Sequence, residues 1–362
     1  MEIRTAVVLC AGRATRLWPV TLTRPKALVR VANKPIIHRI LESLVAAGIE
    51  RAVLVISPND PSLPDYLAGN PVDGISLDFV SQDAPRGLAD ATARAAAAVG
   101  DEPFLLHLGD ELLEGGPTDF VRDAAEANAT ATVLLREVDE PRHFGVAVVE
   151  GDRIVQATEK PAEPPSPYAL VGLYVFTPTV FEAIAATPES SDTGEVEITD
   201  TIQWLVEQGE YVRPYIFERT WFDIGRFETL LAANRFYLAE EITEPPPPVG
   251  EHCSVVGYAE VSRTCSLVNC RIIGPCVIAS GCTIHDATVG PYLSMGKGCT
   301  ISDAHVENSI LGEGCEVRDL AGKLTESVLG DDVKVHGGGA HQSVRLHAAD
   351  RTFLELATPE EQ

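Results

Sequence analysis

The chain has 362 residues, and its 53 acidic against 28 basic side chains give a formal charge of −25. This length is enough for more than one domain. Because the negative field repels nucleic acid and anionic lipid surfaces, neither a nucleic acid polymer nor a membrane is expected as a partner. No apolar run approaches the ~20 residues that span a bilayer. The first residues lead directly into an apolar strand pattern without the design of a signal peptide, so a cytoplasmic location is expected.

The first ~240 residues alternate strand-like and helix-like patterns, which is typical of an α/β sheet covered by helices. Aliphatic residues at helical spacing from Ile36 to Val45 predict a helix that stops at Gly48. Further helices are predicted at 88–99, 199–207 and 227–240. Buried strands are predicted at Ile3–Cys10, Arg51–Ile56, Ile75–Val80, Phe104–Leu108, Ala131–Leu135, Val146–Val149, Ile154–Ala157 and Leu170–Phe176.

A loop of small and basic residues follows the first predicted strand. Small side chains at Ala11, Gly12 and Ala14 let backbone N–H groups approach phosphate oxygens, while cations neutralise their charge. Lys26 lies fourteen residues after Gly12, so this is not the ATPase-type phosphate loop. In so acidic a chain a triphosphate needs a local basic region, and six cations lie within one short stretch: Arg13, Arg16, Arg24, Lys26, Arg30 and Lys34.

Beyond four consecutive prolines at 245–248 the helical patterns end. Aliphatic residues then recur every five or six positions, with glycine between them, which indicates a left-handed parallel β-helix of about four coils. Several cysteines stand two residues before such an aliphatic residue, and they are interpreted as small packing residues of the repeat: Cys253, Cys276, Cys282, Cys299 and Cys315. The absence of a C-x-x-C pair disfavours zinc. The aliphatic positions are 255, 261, 267, 273, 278, 284, 289, 295, 301, 306, 311 and 317.

The segment from Leu9 to Lys26 resembles the signature of the sugar-1-phosphate nucleotidylyltransferases, which make nucleoside-diphosphate sugars. The resemblance extends from residue 3 to about 240, and the layout is most similar to long-form glucose-1-phosphate thymidylyltransferases with a short β-helix. It implies a Rossmann-like nucleotidyltransferase domain with a mixed sheet, then a left-handed parallel β-helix. The expected limits are a catalytic domain at 1–244, a proline-rich linker at 245–249, the β-helix at 250–340 and a tail at 341–362.

The resemblance also implies roles for individual residues. Arg16, Lys26 and Lys160 would be catalytic, and Asp110 and Asp223 would hold Mg²⁺, a cation usually bound through one or two carboxylates plus substrate phosphates. Residues implied for the nucleotide are Leu9, Ala11, Gly12, Arg13, Ala14, Thr15, Arg16, Gln82, Gly87 and Leu88. Residues implied for the sugar phosphate are Gly145, Glu159, Lys160, Gly172 and Glu197.

Ala11 replaces a glycine of the related pattern, which is a mild change, and three further positions depart from it. Ala14 replaces a glycine that adopts positive φ, at a cost of ~1 kcal/mol. Glu111 replaces an asparagine, and its extra carboxylate either strengthens metal binding or points away. Arg30 replaces a proline. None of the three removes a charged group implied in catalysis.

The implied reaction transfers a nucleotidyl group from a nucleoside triphosphate to a sugar 1-phosphate, most simply from dTTP or UTP to glucose 1-phosphate. The residues do not decide between these nucleotides or fix the sugar. One alternative is a bifunctional N-acetylglucosamine-1-phosphate uridylyltransferase and acetyltransferase; another is a non-catalytic sugar-nucleotide sensor or assembly subunit. A mannose-1-phosphate guanylyltransferase shares the two-domain plan. The β-helix histidines are expected to face outward, and its open ends predict a homo-oligomer.

Overall fold

The computed structural model describes residues 1–12, 14–58, 60–191, 193–246, 250, 252–337 and 343–356. The chain divides into two compact units. The first contains 1–12 and 37–221, and the second contains 13–36 and 222–362. The domain limits expected from the sequence stay predictions.

A nine-stranded mixed sheet forms the centre of the first unit. Thr5–Leu9, Arg51–Ile56, Ser76–Ser81 and Phe104–Leu108 pair in parallel, and Tyr168–Phe176 joins them in antiparallel orientation. The long central strand also pairs with Ala131–Glu137 and contacts the hairpin that completes the sheet. The remaining strands are Gly145–Glu150, Arg153–Glu159 and Val212–Ile216.

Helices cover this sheet because aliphatic side chains recur on one face of each. In Ile36–Ala46 the side chains of Ile36, Ile40 and Leu44 are fully buried. The helix predicted over 88–99 is divided at Ala95 into two. The other helices are Ser62–Gly69, Leu88–Arg94, Ala96–Val99, Thr118–Ala127, Thr179–Ala186 and Ile198–Glu207, with a 3-10 turn at Pro141–His143 and a short strand at Glu111–Leu113.

The second unit contains the signature loop, defined as residues 14–36, together with a long helix and the β-helix. The loop consists of 3-10 turns at Thr15–Leu17, Val20–Leu22 and Lys26–Leu28 and the paired strands Arg30–Val31 and Lys34–Pro35. The strand Trp221–Asp223 leads to the helix Phe227–Glu241.

Three parallel sheets of six strands form the predicted left-handed parallel β-helix. Its coils therefore number six, and the predicted four is too low. The first sheet has Ser254–Val256, Arg271–Ile273, Thr288–Val289, His305–Val306, Lys323–Leu324 and Ser343–Val344. The second has Ala259–Val261, Cys276–Ile278, Leu293–Met295, Ser309–Leu311, Val328–Leu329 and His347–Ala348. The third has Ser266–Val268, Thr283–His285, Thr300–Ser302, Glu316–Arg318, Lys334–Gly337 and Phe353–Leu356. The last strand of each sheet lies within the range expected to be a tail.

Aliphatic side chains stack inside the β-helix as the repeat predicts. In the second coil Ile272, not Ile273, faces inward and pairs with Val289. The cysteines are free thiols, and most of those in the β-helix are buried in its core, which confirms their role as packing residues. The thiols of Cys282, Cys299 and Cys315 donate to backbone carbonyls one coil further on, at Gly296, Gly312 and Gly330. Within the described part of the chain, no helix has the length and apolar character needed to cross a membrane.

Candidate active site

Two neighbouring strands of the first unit, Thr5–Leu9 and Phe104–Leu108, end beside each other, and predicted site residues follow both of them. Leu9 pairs with Leu108, so the segments that follow them leave the sheet at the same edge, where α/β folds bind ligands. Gly109 donates its N–H to the Leu9 carbonyl at 2.9 Å. A Cβ at Gly109 would lie only 2.6 Å from that oxygen, so only glycine permits this approach. The approach places Asp110 next to the beginning of the segment that is predicted to bind phosphate, of which Ala11 is partly exposed and Gly12 exposed.

Glu111 is buried and accepts a hydrogen bond from the indole N–H of Trp221, whose ring packs edge-on against Phe144. Gly172, with φ +36°, lies against the same side chain, and a Cβ there would be 2.8 Å from the Glu111 Cγ. The Glu111 carboxylate is thus hydrogen-bonded to Trp221, and its side chain packs against Gly172.

Gln82 is buried, and its amide nitrogen has two acceptors. It donates to the Gly87 carbonyl at 3.2 Å and to Asp90 Oδ2 at 2.9 Å. Burial acts to raise the Asp90 pKa, but hydrogen bonds from Arg94 and Gln82 outweigh it and lower that pKa below its ordinary value. The Gln82 amide nitrogen donates to an ionised Asp90, so the amide oxygen of Gln82 is the atom of this side chain that could accept a hydrogen bond from a ligand.

The Gln82–Leu88 segment is joined to the segment that carries Glu197. Val196 donates its N–H to Arg86 O at 2.8 Å, and Ala89 donates to Val196 O at 3.1 Å. Gly87 has φ +100°, and a Cβ there would overlap the Val196 backbone. Glycine is therefore required at position 87 for both its φ and the space, and the two predicted binding segments share one set of backbone hydrogen bonds.

The carboxylate of Glu159 is the centre of a second group of predicted residues. Its Oε1 pairs with Lys160 Nζ at 2.7 Å, and its Oε2 accepts from Thr199 Oγ1 at 2.6 Å. Gly145 lies directly across the hairpin from Glu159, and a Cβ at Gly145 would overlap Thr199 Oγ1. We call Gly145, Glu159, Lys160, Glu197 and Thr199 the sugar cluster. The sequence interpretation had assigned no role to Thr199.

The charges of this cluster act on one another. Burial raises the pKa of Glu197, and the neighbouring Glu159 charge raises it further. Burial and Glu159 also raise the pKa of Asp200. The pKa of Lys160 is raised although burial opposes this, because Glu159 accepts a hydrogen bond from it and attracts its charge. Lys160 is therefore a permanent cation, and 56% of its side chain is exposed and accessible to an anionic ligand.

In the second unit the signature loop begins in a strained conformation. Ala14 has φ +48° and ψ +42°, which confirms that a non-glycine residue occupies a left-handed position. Its carbonyl accepts from Thr21 Oγ1 at 2.8 Å and from Leu17 N–H at 3.1 Å. Thr15 and Arg16 then lie exposed on a 3-10 turn. Arg13 lies outside the described residues.

Arg16 and Asp223 approach each other beside Gly225. A Cβ at Gly225 would be 3.1 Å from Arg16 Nη2 and 3.0 Å from Asp223 Oδ1, so glycine leaves room for both side chains. Lys26 begins the third 3-10 turn of the loop, and its carbonyl accepts the Val29 N–H at 2.9 Å. Among the described residues no three or more His, Cys, Asp or Glu side chains form a metal cage.

The matching family model is that of nucleotidyl transferases, and it covers residues 5–240. The chain belongs to this family. It is 37% identical over 260 residues to a low-salt glycan biosynthesis nucleotidyltransferase of Haloferax volcanii, covering 71% of this chain and 72% of that protein. It is also 37% identical over 266 residues to a glucose-1-phosphate thymidylyltransferase of Streptomyces antibioticus, covering 73% and 74%. A solved UDP-glucose pyrophosphorylase in complex with UDP-glucose superposes with a TM-score of 0.61 at 26% identity, covering 66% of this chain and 100% of that one.

The β-helix histidines have local partners. His285 pairs with Asp286, His305 with Glu307 and His336 with Glu316. His347 stacks on Phe227 with ring centroids 3.6 Å apart. His341, also considered from the sequence, lies outside the described residues.

Proposed function

We propose that this nucleotidyl transferase transfers a nucleotidyl group from dTTP or UTP to glucose 1-phosphate, producing a nucleoside-diphosphate sugar and pyrophosphate. Two of the relatives named above are a glucose-1-phosphate thymidylyltransferase and a UDP-glucose pyrophosphorylase, which supports this choice of substrates. The observation that carries the proposal is the sugar cluster, because it combines a permanent cation for a phosphate with several acceptors for sugar hydroxyls.

The reaction requires positioning and neutralisation of charge rather than a general base. A phosphate oxygen of the sugar 1-phosphate, already ionised at neutral pH, attacks the α-phosphorus of the nucleotide, and the bond to pyrophosphate breaks. We propose that Lys160 leaves Glu159 to bind the attacking phosphate. Lys26 would stabilise the α-phosphate, and the exposed Arg16 the departing pyrophosphate.

The other predicted contacts follow from where each residue lies. The Gln82 amide oxygen would accept from the imide N–H of thymine or uracil, with Gly87 and Leu88 beside the base. Backbone groups from Leu9 to Thr15 would contact phosphates, with Arg13 as an additional cation. Gly145, Glu159, Gly172 and Glu197 would surround the sugar.

We propose Asp110 and Asp223 as the ligands of Mg²⁺, which would neutralise phosphate charge when bound. Their carboxylate oxygens are the donors that this cation prefers, and Glu111, held by Trp221, is not assigned to it. A homo-oligomeric, cytoplasmic enzyme remains our expectation.

The test is pyrophosphate release with Mg²⁺ across four nucleoside triphosphates and several sugar 1-phosphates, at low and high potassium chloride. We expect release with dTTP or UTP plus glucose 1-phosphate. Lys160→Met should raise the KM for the sugar phosphate at least tenfold, whereas Lys334→Met, on an exposed β-helix strand, should leave it unchanged. Folded protein that releases no pyrophosphate with any pair would refute the proposal and favour a non-catalytic binding role.

A further inference from the structure

A row of three carboxylates lies at one corner of the β-helix. Glu313, Asp331 and Asp350 each follow the second-sheet strand of successive coils, and we call them the carboxylate ladder. Asp350 Oδ1 accepts the N–H of Asp331 at 2.7 Å, and Asp331 Oδ1 accepts the N–H of Glu313 at 2.7 Å. Backbone groups of the β-helix thus fix the position of the last two carboxylates. Three like charges held this close repel one another unless cations intervene.

The cations come from the signature loop. Arg24 pairs with Asp331 Oδ2 at 2.8 Å and also with Asp350, and only 14% of its side chain is exposed. Arg30 pairs with Glu313 Oε1 at 2.7 Å and lies 3.9 Å from Asp331 Oδ1, with 18% of its side chain exposed. These two arginines flank Lys26 in the sequence, one on each side. Both stand among the six cations that the sequence suggested for the triphosphate, so the structure gives these two a different partner.

Uncharged contacts continue the same attachment. Asn33 donates its side-chain N–H to Met295 O at 2.8 Å, one coil before Glu313. Asn234, fully buried on the long helix, accepts from Ala32 N–H at 2.8 Å and from Ser294 Oγ at 2.7 Å. The loop therefore runs along successive coils, and Lys26 lies between its attachments.

We propose that the β-helix is a positioning element for nucleotide binding: the carboxylate ladder holds Arg24 and Arg30, and thereby fixes the loop that presents Lys26. The ladder residues act through the loop and touch no substrate. Arg30 stands where the related signature has proline, an uncharged residue that could not pair with Glu313. The inference rests on the assignment of Lys26 to the nucleotide in the proposed function.

The test uses the full chain with Asp331→Asn, Asp350→Asn and Glu313→Gln, alone and combined. Each change keeps the shape of the side chain and removes its charge, and the two asparagine variants also keep the oxygen that accepts a backbone N–H. The matched control is Asp123→Asn, which breaks an ion pair with Arg213 at 2.9 Å in the first unit, with 28% of each side chain exposed. Measurements are KM for each substrate, kcat, Tm and the calorimetric Kd for dTTP and UTP.

We expect the Asp331→Asn/Asp350→Asn variant to raise KM and Kd for the nucleotide roughly tenfold, between the effects of losing an exposed and a buried ion pair. The KM for the sugar phosphate should stay within twofold. The reversed pair Arg30→Glu/Glu313→Arg should recover most of the affinity lost in Glu313→Gln. In wild-type protein, high potassium chloride should weaken nucleotide binding more than in the ladder variants, whose pairs are already broken.

Unchanged nucleotide affinity in the combined variant would overturn the inference. So would a parallel rise of both KM values with a fall in Tm equal to that of Asp123→Asn, since that pattern marks a merely structural role. The calorimetric Kd keeps this result separate from the proposed function. If wild-type protein binds dTTP but makes no nucleotide sugar, the proposed function fails while the ladder variants still test the inference.

Discussion

Substitution of Gly145 by alanine tests the geometry of the sugar cluster most directly. Gly145 is buried, and a Cβ there would overlap Thr199 Oγ1 and lie 3.0 Å from Glu159 Oε2. The added methyl group must separate the hydrogen bond of 2.6 Å between those two side chains. Because Glu159 also holds Lys160, the disturbance reaches the cation that we assign to the sugar phosphate.

The size of the effect follows from two contributions. Overpacking a close-packed site costs ~1–3 kcal/mol of the free energy of unfolding. A hydrogen bond to a charged group contributes ~1.5–3 kcal/mol. If half of that second contribution is lost from binding, the KM for glucose 1-phosphate rises roughly three- to tenfold, since 1.4 kcal/mol corresponds to a factor of ten. The nucleotide KM should not change.

The assay is a double-mutant cycle with Gly145→Ala, Thr199→Ala and both together, measured by chemical denaturation and by KM for each substrate. Removal of the Thr199 side chain makes room for the new methyl group, so the double variant should be less impaired than the sum of the single variants. Wild-type stability and KM in Gly145→Ala would show that the residues around Gly145 are less tightly packed than we describe. Strict additivity of the two changes would likewise refute a contact between positions 145 and 199.

Three further predictions concern other parts of the site. Gln82→Met should raise the KM for dTTP and UTP about fivefold, which corresponds to the loss of a hydrogen bond of about 1 kcal/mol, and it should weaken discrimination against CTP. The control Asp83→Asn, at an exposed position, should change neither KM. Equal discrimination in both variants would contradict the role of the amide oxygen. Burial lowers the pKa of His107 from 6.5 to about 4, so the unfolded chain takes up a proton that the folded chain does not. The resulting stability is complete above pH 6.5 and is lost as the pH falls towards 4, a difference of ~3 kcal/mol in the free energy of unfolding. Urea midpoints measured at pH 7, 5.5 and 4.5 should therefore depend less steeply on pH in His107→Gln than in the wild type. An equally steep dependence in both proteins would contradict this role of His107. Gly225→Ala should lower kcat/KM for the nucleotide at least tenfold by displacing Arg16 and Asp223. The control Gly69→Ala, where a Cβ meets nothing within 4 Å, should leave kcat/KM unchanged. Equal kinetics of the two variants would show that Arg16 and Asp223 tolerate displacement.

The sequence predicts elements well where burial leaves a periodic pattern. Strands such as Arg51–Ile56 and Phe104–Leu108 are found at the predicted residues because a parallel strand buried on both faces is a continuous apolar run. Helices with a narrower apolar face, such as Thr118–Ala127, were not predicted. The predicted coil count is too low because the step from Val317 to the next inward residue on a strand, Leu324, is seven, which breaks the five-or-six period although the sheets continue.

For the candidate site, the sequence proposes residues by their chemical type but does not predict their contacts. Asp110, Glu159 and Lys160 are recognisable because their chemistry suits phosphate, metal and sugar. The hydrogen bonds of Thr199 and Trp221 to Glu159 and Glu111 are not predicted, because the partners are 40 and 110 residues away in the sequence. A threonine inside an apolar helix pattern gives no signal that its hydroxyl orients a carboxylate.

The basic stretch of the loop shows why composition alone misassigns charges. Six cations near a predicted triphosphate site suggest one common role, yet Arg24 and Arg30 neutralise carboxylates that are 326 and 283 residues away in the chain. Neutralising them requires a β-helix long enough to reach the loop, and the coils beyond position 317 supply Asp331 and Asp350. A shorter repeat of four coils would leave Arg24 without partners. The length of the β-helix thus determines how many loop cations are available to a nucleotide, and the ladder variants test this dependence by changing the β-helix carboxylates.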